Sequence, residues 1–491
     1  MASPDASPAP RASAKDYQRM YFDVRHKPLT VNSVEVKGDE RTRPGLFAKV
    51  LAPIYEAGTL DELRVKCLEA NAVLHSYDIF DRVDVLCDAG PEDAPSNTAT
   101  VTVDVSEKKK FNLKGGAYVS QSGEGSVEMS AGLNNAFGFA EKVDVEAIKG
   151  HERSSTYTLA WNQPRVNNLD VDVVTRAFQQ VSTSTRLSSF DETTRGVAVA
   201  AVGGGPARVE YELAWREITD PTKLASKQIR HQLGHTLKSS IAYTYHVDER
   251  DRPSRPSAGY LARVRAELAG LGFVDPQATR FFKTECEAQA VKTLAPGVVL
   301  SASGKLGALL PLDLRSRDAS DPMRGVTCVS DRFFLGGVGS LRGFDAHGAG
   351  PSDERRPPKE APEGSDADGA GAREVISRDA LGGDLLAVGF VAVQLEPAFK
   401  KLRDIGCYAH AFVNAGALAP FPKPTGKPTE AKKTFSFGGY AEAVRASVGV
   451  GLVFPLPVGN IEVNYVKTTR AQEGDRVKDG IQVGLATALA F

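Results

Sequence analysis

The stretch most able to do chemistry runs from Asp331 to Phe344. It holds four glycines, three phenylalanines and two arginines in fourteen residues. Glycine allows positive φ and close backbone approach. The aromatic rings favour burial, and a buried arginine such as Arg342 needs a carboxylate. These types describe an ordered loop packed into its surroundings. Gly337, Gly339 and Gly343 also give the segment the look of a dinucleotide loop. That chemistry needs a buried strand before the glycines and a helix after them, whereas Asp345 to Ser352 contains His347, two glycines and Pro351 and starts a helix poorly. A glycine-rich turn without a role is the plainer alternative.

No other chemistry competes strongly. The 491 residues exceed one ordinary core, so at least two domains are expected. A net charge of −1 argues against a general nucleic-acid binder. Cys67, Cys87, Cys286, Cys328 and Cys407 are scattered, with no CxxC pair, and suggest neither a disulfide framework nor a zinc site. His231 and His235 lack an accompanying HExxH. No phosphate loop or catalytic triad is evident, so no enzyme, cofactor or metal is expected. The longest apolar run, Leu385 to Leu395, has eleven residues, against about 20 for a helical membrane span. The amino terminus has no secretory apolar core.

The elements that would position the loop follow from periodicity. Residues 1–24 are rich in Ala, Ser and Pro and read as a disordered tail. Residues 25–107 read as one small β-α-α-β-β domain. Val34 and Val36 alternate, Pro44 to Tyr55 suits a helix, and Thr59-x-x-Glu62 is a capping box. A second helix follows, with Leu60, Leu63, Cys67 and Leu74 at helical spacing, and then alternating valines from Val83 and from Val101. From Phe111 onward the period is two. Val209, Tyr211, Leu213 and Trp215 alternate with Arg208, Glu210, Glu212, Ala214 and Arg216, and Ile461, Val463 and Tyr465 alternate with Glu462 and Asn464. Runs of about 9–12 residues match strands that cross a bilayer, and about sixteen of them suit a closed transmembrane β-barrel over 108–491. A long loop spans 311–384, and its polar tract 351–371 reads as a disordered insert.

Leu341-Arg342-Gly343-Phe344 resembles the lumen-inserted loop tip of the outer-membrane protein assembly (bacterial surface antigen) superfamily. The small domain resembles its polypeptide-transport-associated (POTRA) module. Phe412-Val413-Asn414-Ala415-Gly416 resembles a Phe-x-Asp-x-Gly strand, with Asn414 at the Asp position. The final run from Asp479, with Gln482, Gly484, Leu489 and Phe491, resembles the terminal barrel signal, although Thr487 departs from it. With a single module, the resemblance is most specific to the channel subunit of the mitochondrial sorting and assembly machinery.

That resemblance implies a non-enzymatic insertase of β-barrel precursors in the mitochondrial outer membrane. The amino-terminal domain would lie in the intermembrane space, and the partners would be precursors, the lipid bilayer and accessory subunits of the assembly complex, without nucleic acid. It implies a loop lock of Arg342, Gly343 and Phe344, with Glu396 as counter-ion and Asn414 as acceptor. It implies a lateral gate between the first and last barrel strands. Gly115 and Gly116 would weaken one side and Gly484 the other, where Gln482, Leu489 and Phe491 also lie. The alternatives are a chloroplast-envelope import or insertion channel and a passive porin.

Overall fold

The structure is a computed structural model. It describes residue 22 and residues 24–486, except 92, 94, 96, 120–124, 167–168, 254, 273–278, 313–324, 357–376, 422–439, 441 and 457–458. Nearly all of the amino-terminal tail, most of the expected insert, and Leu489 and Phe491 therefore lie outside the described residues. The chain divides into two compact units.

The first unit contains strand β1 (Thr30–Lys37), helix α1 (Pro44–Leu51), a 3₁₀ turn (Ala52–Glu56), helix α2 (Leu60–Ser76), β2 (Phe80–Ala89) and β3 (Thr98–Glu107). Helix α1 is shorter than the spacing suggests because Pro53 cannot supply an amide for the next turn. Helix α2 starts where Thr59 accepts from the Glu62 amide, while the Glu62 carboxylate reaches back to the Gly58 amide. One orphan amide of this helix start, that of Glu62, is thereby satisfied, and the Gly58 bond fixes the chain just before the cap. Leu63, Cys67, Ala70 and Leu74 are buried on one face of α2, and they meet Val83, Val101, Val103 and Val105 of a sheet ordered β1-β3-β2. The pair β1–β3 is parallel and β2–β3 is antiparallel, which leaves β1 and β2 as edges.

Glu107 ties the end of this sheet to the segment before α1. Its carboxylate accepts from the amides of Arg41 and Thr42, the Thr42 hydroxyl and Arg41 Nε. Burial alone would raise its pKa, but these donors outweigh burial and hold the carboxyl below the usual glutamate range. A group with a depressed folded-state pKa stabilises above its unfolded value and loses that stability as pH falls through the folded value. Glu107→Gln is therefore expected to flatten the acid limb of the first unit's thermal stability below about pH 4.5, its reference value. Hydrogen exchange of α1 and β3 from pH 7 down to 3 reads this directly. An acid limb identical in both proteins would rule out Glu107 as its source.

The second unit carries the greater part of a sixteen-stranded sheet. Its order runs from β4 (Phe111–Val119) through successive antiparallel neighbours to β14 (Val298–Pro311), then β17 (Leu385–Leu395), β18 (Tyr408–Ala419), β19 (Val444–Leu456), β20 (Gly459–Arg470) and β21 (Gly480–Ala486). The sixteen expected runs are found, including the ambiguous stretch near 258–270, which is the strand Gly259–Ala269.

The burial pattern is inverted relative to a soluble sheet. On β10 (Ala207–Thr219), Val209, Tyr211, Leu213 and Trp215 are exposed, while Glu210 and Arg216 are buried. The inward charges are matched: Glu210 binds Arg176 and Arg208, and Lys238 binds Glu267. Apolar residues outside and paired charges inside are what a sheet surrounded by lipid requires. Among the described residues, no helix is long and apolar enough to cross a membrane.

β4 and β21 are the two ends of the strand order, and no pairing between them is found among the described residues. The expected direct closure is therefore not seen there. The last strand is described only to Ala486, so the remainder of its run cannot contribute a register. Between β14 and β17 the loop carries one small hairpin, β15 (Ser352–Glu354) with β16 (Arg378–Ala380).

Candidate functional site

The loop leaves β14 and is fixed first at its root. Asp331 takes both carboxylate oxygens to Arg216 Nη1 of β10 at 2.9 Å each, and both side chains are buried. Phe333 then fills the space that a side chain at Gly307 would occupy, since a Cβ there would lie 2.6 Å from the ring. Leu335 packs in the same way over Gly416 of β18. Glycines on the inner sheet face thus act as sockets for the loop's apolar residues.

The tip is held more closely. Arg342 is 1% exposed. Its Nε and Nη2 each lie 2.8 Å from one carboxylate oxygen of Glu462 on β20. This fork geometry is the strongest form of a carboxylate contact. Glu462 Oε2 also accepts from Asn464 at 2.7 Å, and Asn464 Oδ1 lies 2.7 Å from His410 Nε2. The guanidinium carbon stands 4.3 Å from the Phe390 ring centre and 5.4 Å from that of Phe412. Two aromatic rings thereby replace water around the charge.

The tip's main chain is bonded across four strands. The Arg342 amide donates to Asn414 Oδ1 on β18 at 2.8 Å, and the Arg342 carbonyl accepts from Ser447 Oγ on β19 at 2.6 Å. The Gly343 carbonyl accepts from Thr468 Oγ1 on β20 at 3.0 Å, and the Gly343 amide donates to Gln482 Oε1 on β21 at 3.1 Å. Gly343 has φ +89°, and a Cβ there would lie 2.8 Å from Thr468 Oγ1 and 3.0 Å from Ser447 Cβ. Glycine is therefore required twice over, for its backbone angle and for space. Phe344 is buried and bridges to Val477.

Arg342, Gly343, Phe344 and Asn414 are thus brought together, and Asn414 contributes through the arginine's amide rather than its guanidinium. Glu396 is not part of the group, and the counter-ion is Glu462. Glu396 lies in the turn beyond β17, where its amide donates to Gly297 and its carboxylate meets Arg255 at 3.3 Å. Phe390 touches the guanidinium, and Glu396 is six residues further on, roughly 20 Å along an extended chain. The alternation Ile461-Glu462-Val463-Asn464 was the available signal for the true partner, an acid on an inner face.

Of the expected gate residues, Gln482 and Gly484 meet the loop. A Cβ on Gly484 would lie 2.8 Å from Val338 Cγ2. Gly115 and Gly116 are exposed on β4. Gly484→Val is expected to force Val338 off β21 and to raise the protease sensitivity of 336–344 several-fold in the folded protein; wild-type resistance would refute the packing.

Residues 135–488 match the Omp85 superfamily domain. Sorting and assembly machinery component 50 homolog B of Xenopus laevis is 31% identical, over 94% of this chain and 91% of its own. The Homo sapiens homolog is 29% identical, over 94% and 90%. Among solved structures, BamA from Haemophilus ducreyi lacking POTRA domains 1–3 is similar, with a TM-score of 0.71 at 15% identity, covering 92% of this chain and 83% of that one. At that identity the likeness is one of fold: a sixteen-stranded barrel with a small α+β region before it.

Proposed function

Because the chain belongs to the Omp85 superfamily, and within it to the sorting and assembly machinery component 50 homologs, we propose that it folds β-barrel precursors and inserts them into the mitochondrial outer membrane. The amino-terminal unit faces the intermembrane space, and accessory subunits of an assembly complex are its standing partners. The work involves no covalent step. Its driving force is the precursor's own folding, released once unsatisfied backbone groups find partners.

The site of exchange in this reading is the seam between β4 and β21. Backbone groups unpaired in lipid cost several kcal/mol each. A precursor's terminal strand removes that cost by adding to a free edge. Gly115 and Gly116 leave β4 without side chains to pack at its centre, which weakens pairing there. The observation that carries the reading is the seating of the loop tip on β18, β19, β20 and β21. It braces the terminal strand from inside while the outer flank of that strand stays available.

The test replaces the endogenous channel of isolated mitochondria with this chain carrying Gly115→Cys, and imports a radiolabelled precursor with one cysteine in its last strand. Insertion together with a precursor-to-β4 disulfide is expected. No insertion by the unsubstituted chain would overturn the proposal in favour of an envelope import channel or a passive pore. Insertion without the cross-link, at every position tried along β4, would remove the seam from the mechanism.

A further inference from the structure

We propose that Cys67 and Cys87 form a paired thiol site that a small disulfide donor converts into a covalent bond between α2 and β2. Their sulfurs lie 3.8 Å apart in the first unit, with Cys67 buried and Cys87 exposed. One helical turn beyond Cys67, Asn71 Nδ2 donates to the Val83 carbonyl at 3.3 Å. That bond holds the same face of α2 over the same face of β2, so the two sulfurs meet on a fixed frame and not by chance of a mobile loop. Cys286, Cys328 and Cys407 lie elsewhere in the chain.

The two thiols are not equivalent. Hydrogen bonding from Cys67 outweighs burial at Cys87 and lowers its pKa to about 7. Cys67 is pushed up by its hydrogen bond to Cys87 and by burial. Cys87 is therefore the reachable thiolate at neutral pH, and the thiolate is the nucleophile.

Its sulfur attacks one sulfur of the donor. The donor's S–S bond breaks, and one donor thiol leaves after taking up a proton. Cys67 then gives its proton to solvent and attacks the Cys87 sulfur, which expels the second donor thiol. Two protein thiols are oxidised, and one donor disulfide is reduced to two thiols. The product pins β2, an edge of the β1-β3-β2 sheet, onto α2. This edge is the kind that extends by accepting an extended peptide, so the bond fixes the geometry of an acceptor strand.

The full chain in detergent micelles, incubated with oxidised glutathione and then with a maleimide label, reads the site. Two of the five cysteines should become unlabelled, a peptide map should contain a Cys67–Cys87 cross-link, and dithiothreitol should restore both thiols. In Cys67→Ala the cross-link should vanish while Cys87 keeps one glutathione adduct, and its formation should shift to higher pH than in the parent, because the hydrogen bond from Cys67 that lowers the Cys87 pKa is gone. Label on all five cysteines, or a cross-link to any other cysteine, would overturn the proposal. A Cys67→Ala chain that takes up no adduct at Cys87 would overturn the assignment of Cys87 as the attacking thiol.

Discussion

Under the proposed function, Arg342→Ala is expected to slow insertion of barrel precursors by at least tenfold, while the mutant chain itself stays embedded in the membrane. The substitution removes a forked pair at 2.8 Å on both arms and the ring contacts to Phe390 and Phe412. It also leaves Glu462, 5% exposed, without its cation. Breaking one partner of a buried pair typically costs about 3–5 kcal/mol, enough to unseat a loop whose other tip contacts are single hydrogen bonds of about 1 kcal/mol each. Sixteen paired strands are untouched by the change, so the barrel persists.

Two controls make the result specific. Glu462→Ala should reproduce the defect, and the double mutant should be milder than the two single effects added together, because each single change strands a charge that the double change removes. Glu396→Ala should be nearly silent, since its exposed contact with Arg255 is worth about 0–1 kcal/mol. Import kinetics in mitochondria and proteolysis of residues 336–344 measure both. Equal insertion by Arg342→Ala and the parent, or a strong defect in Glu396→Ala, would sink the lock.

Asp331→Ala should destabilise the chain by a similar amount, but at the other end of the loop. Arg216 and Asp331 are both buried, and no solvent is available to take over the arginine's charge. Glu192 stands 3.8 Å from Arg216 and offers partial relief, so the low end of the range, about 3 kcal/mol, is expected. Asp331→Asn keeps one acceptor oxygen in place and should fall between the two. Thermal unfolding in detergent and hydrogen exchange over 327–335 separate this root from the tip. A midpoint unchanged in Asp331→Ala would show that Phe333 in its glycine socket fixes the root alone.

The barrel was legible because its signal is local. Alternation along a strand such as Val209 to Trp215 depends on one residue facing lipid and the next facing the interior, and no distant contact is needed to see it. The capping box at Thr59 was legible for the same reason. Arg342, Gly343 and Phe344 were visible as types, because few environments suit an arginine between glycine and aromatic residues.

The partner was not legible. Glu396 and Glu462 both occupy inner-face positions by parity, and only the depth of the loop in the sheet decides between them. That depth is set by sockets at Gly307, Gly416 and Gly484, which a sequence read strand by strand does not connect to Phe333, Leu335 and Val338. The ion pair Arg216–Asp331 joins residues 115 positions apart and was hidden in the same way.

The bond from the Gly343 amide to Gln482 has a mechanical consequence for the proposed seam. Through it, the loop and β18 to β21 form a single stiff plate, and any force that parts the seam is resisted on that side by the whole plate. The proposed exchange then places the compliance in β4, as a page bends from its spine. Amides of β4 are accordingly expected to exchange with deuterium faster than those of β21, and Gln482→Ala should bring the two rates together.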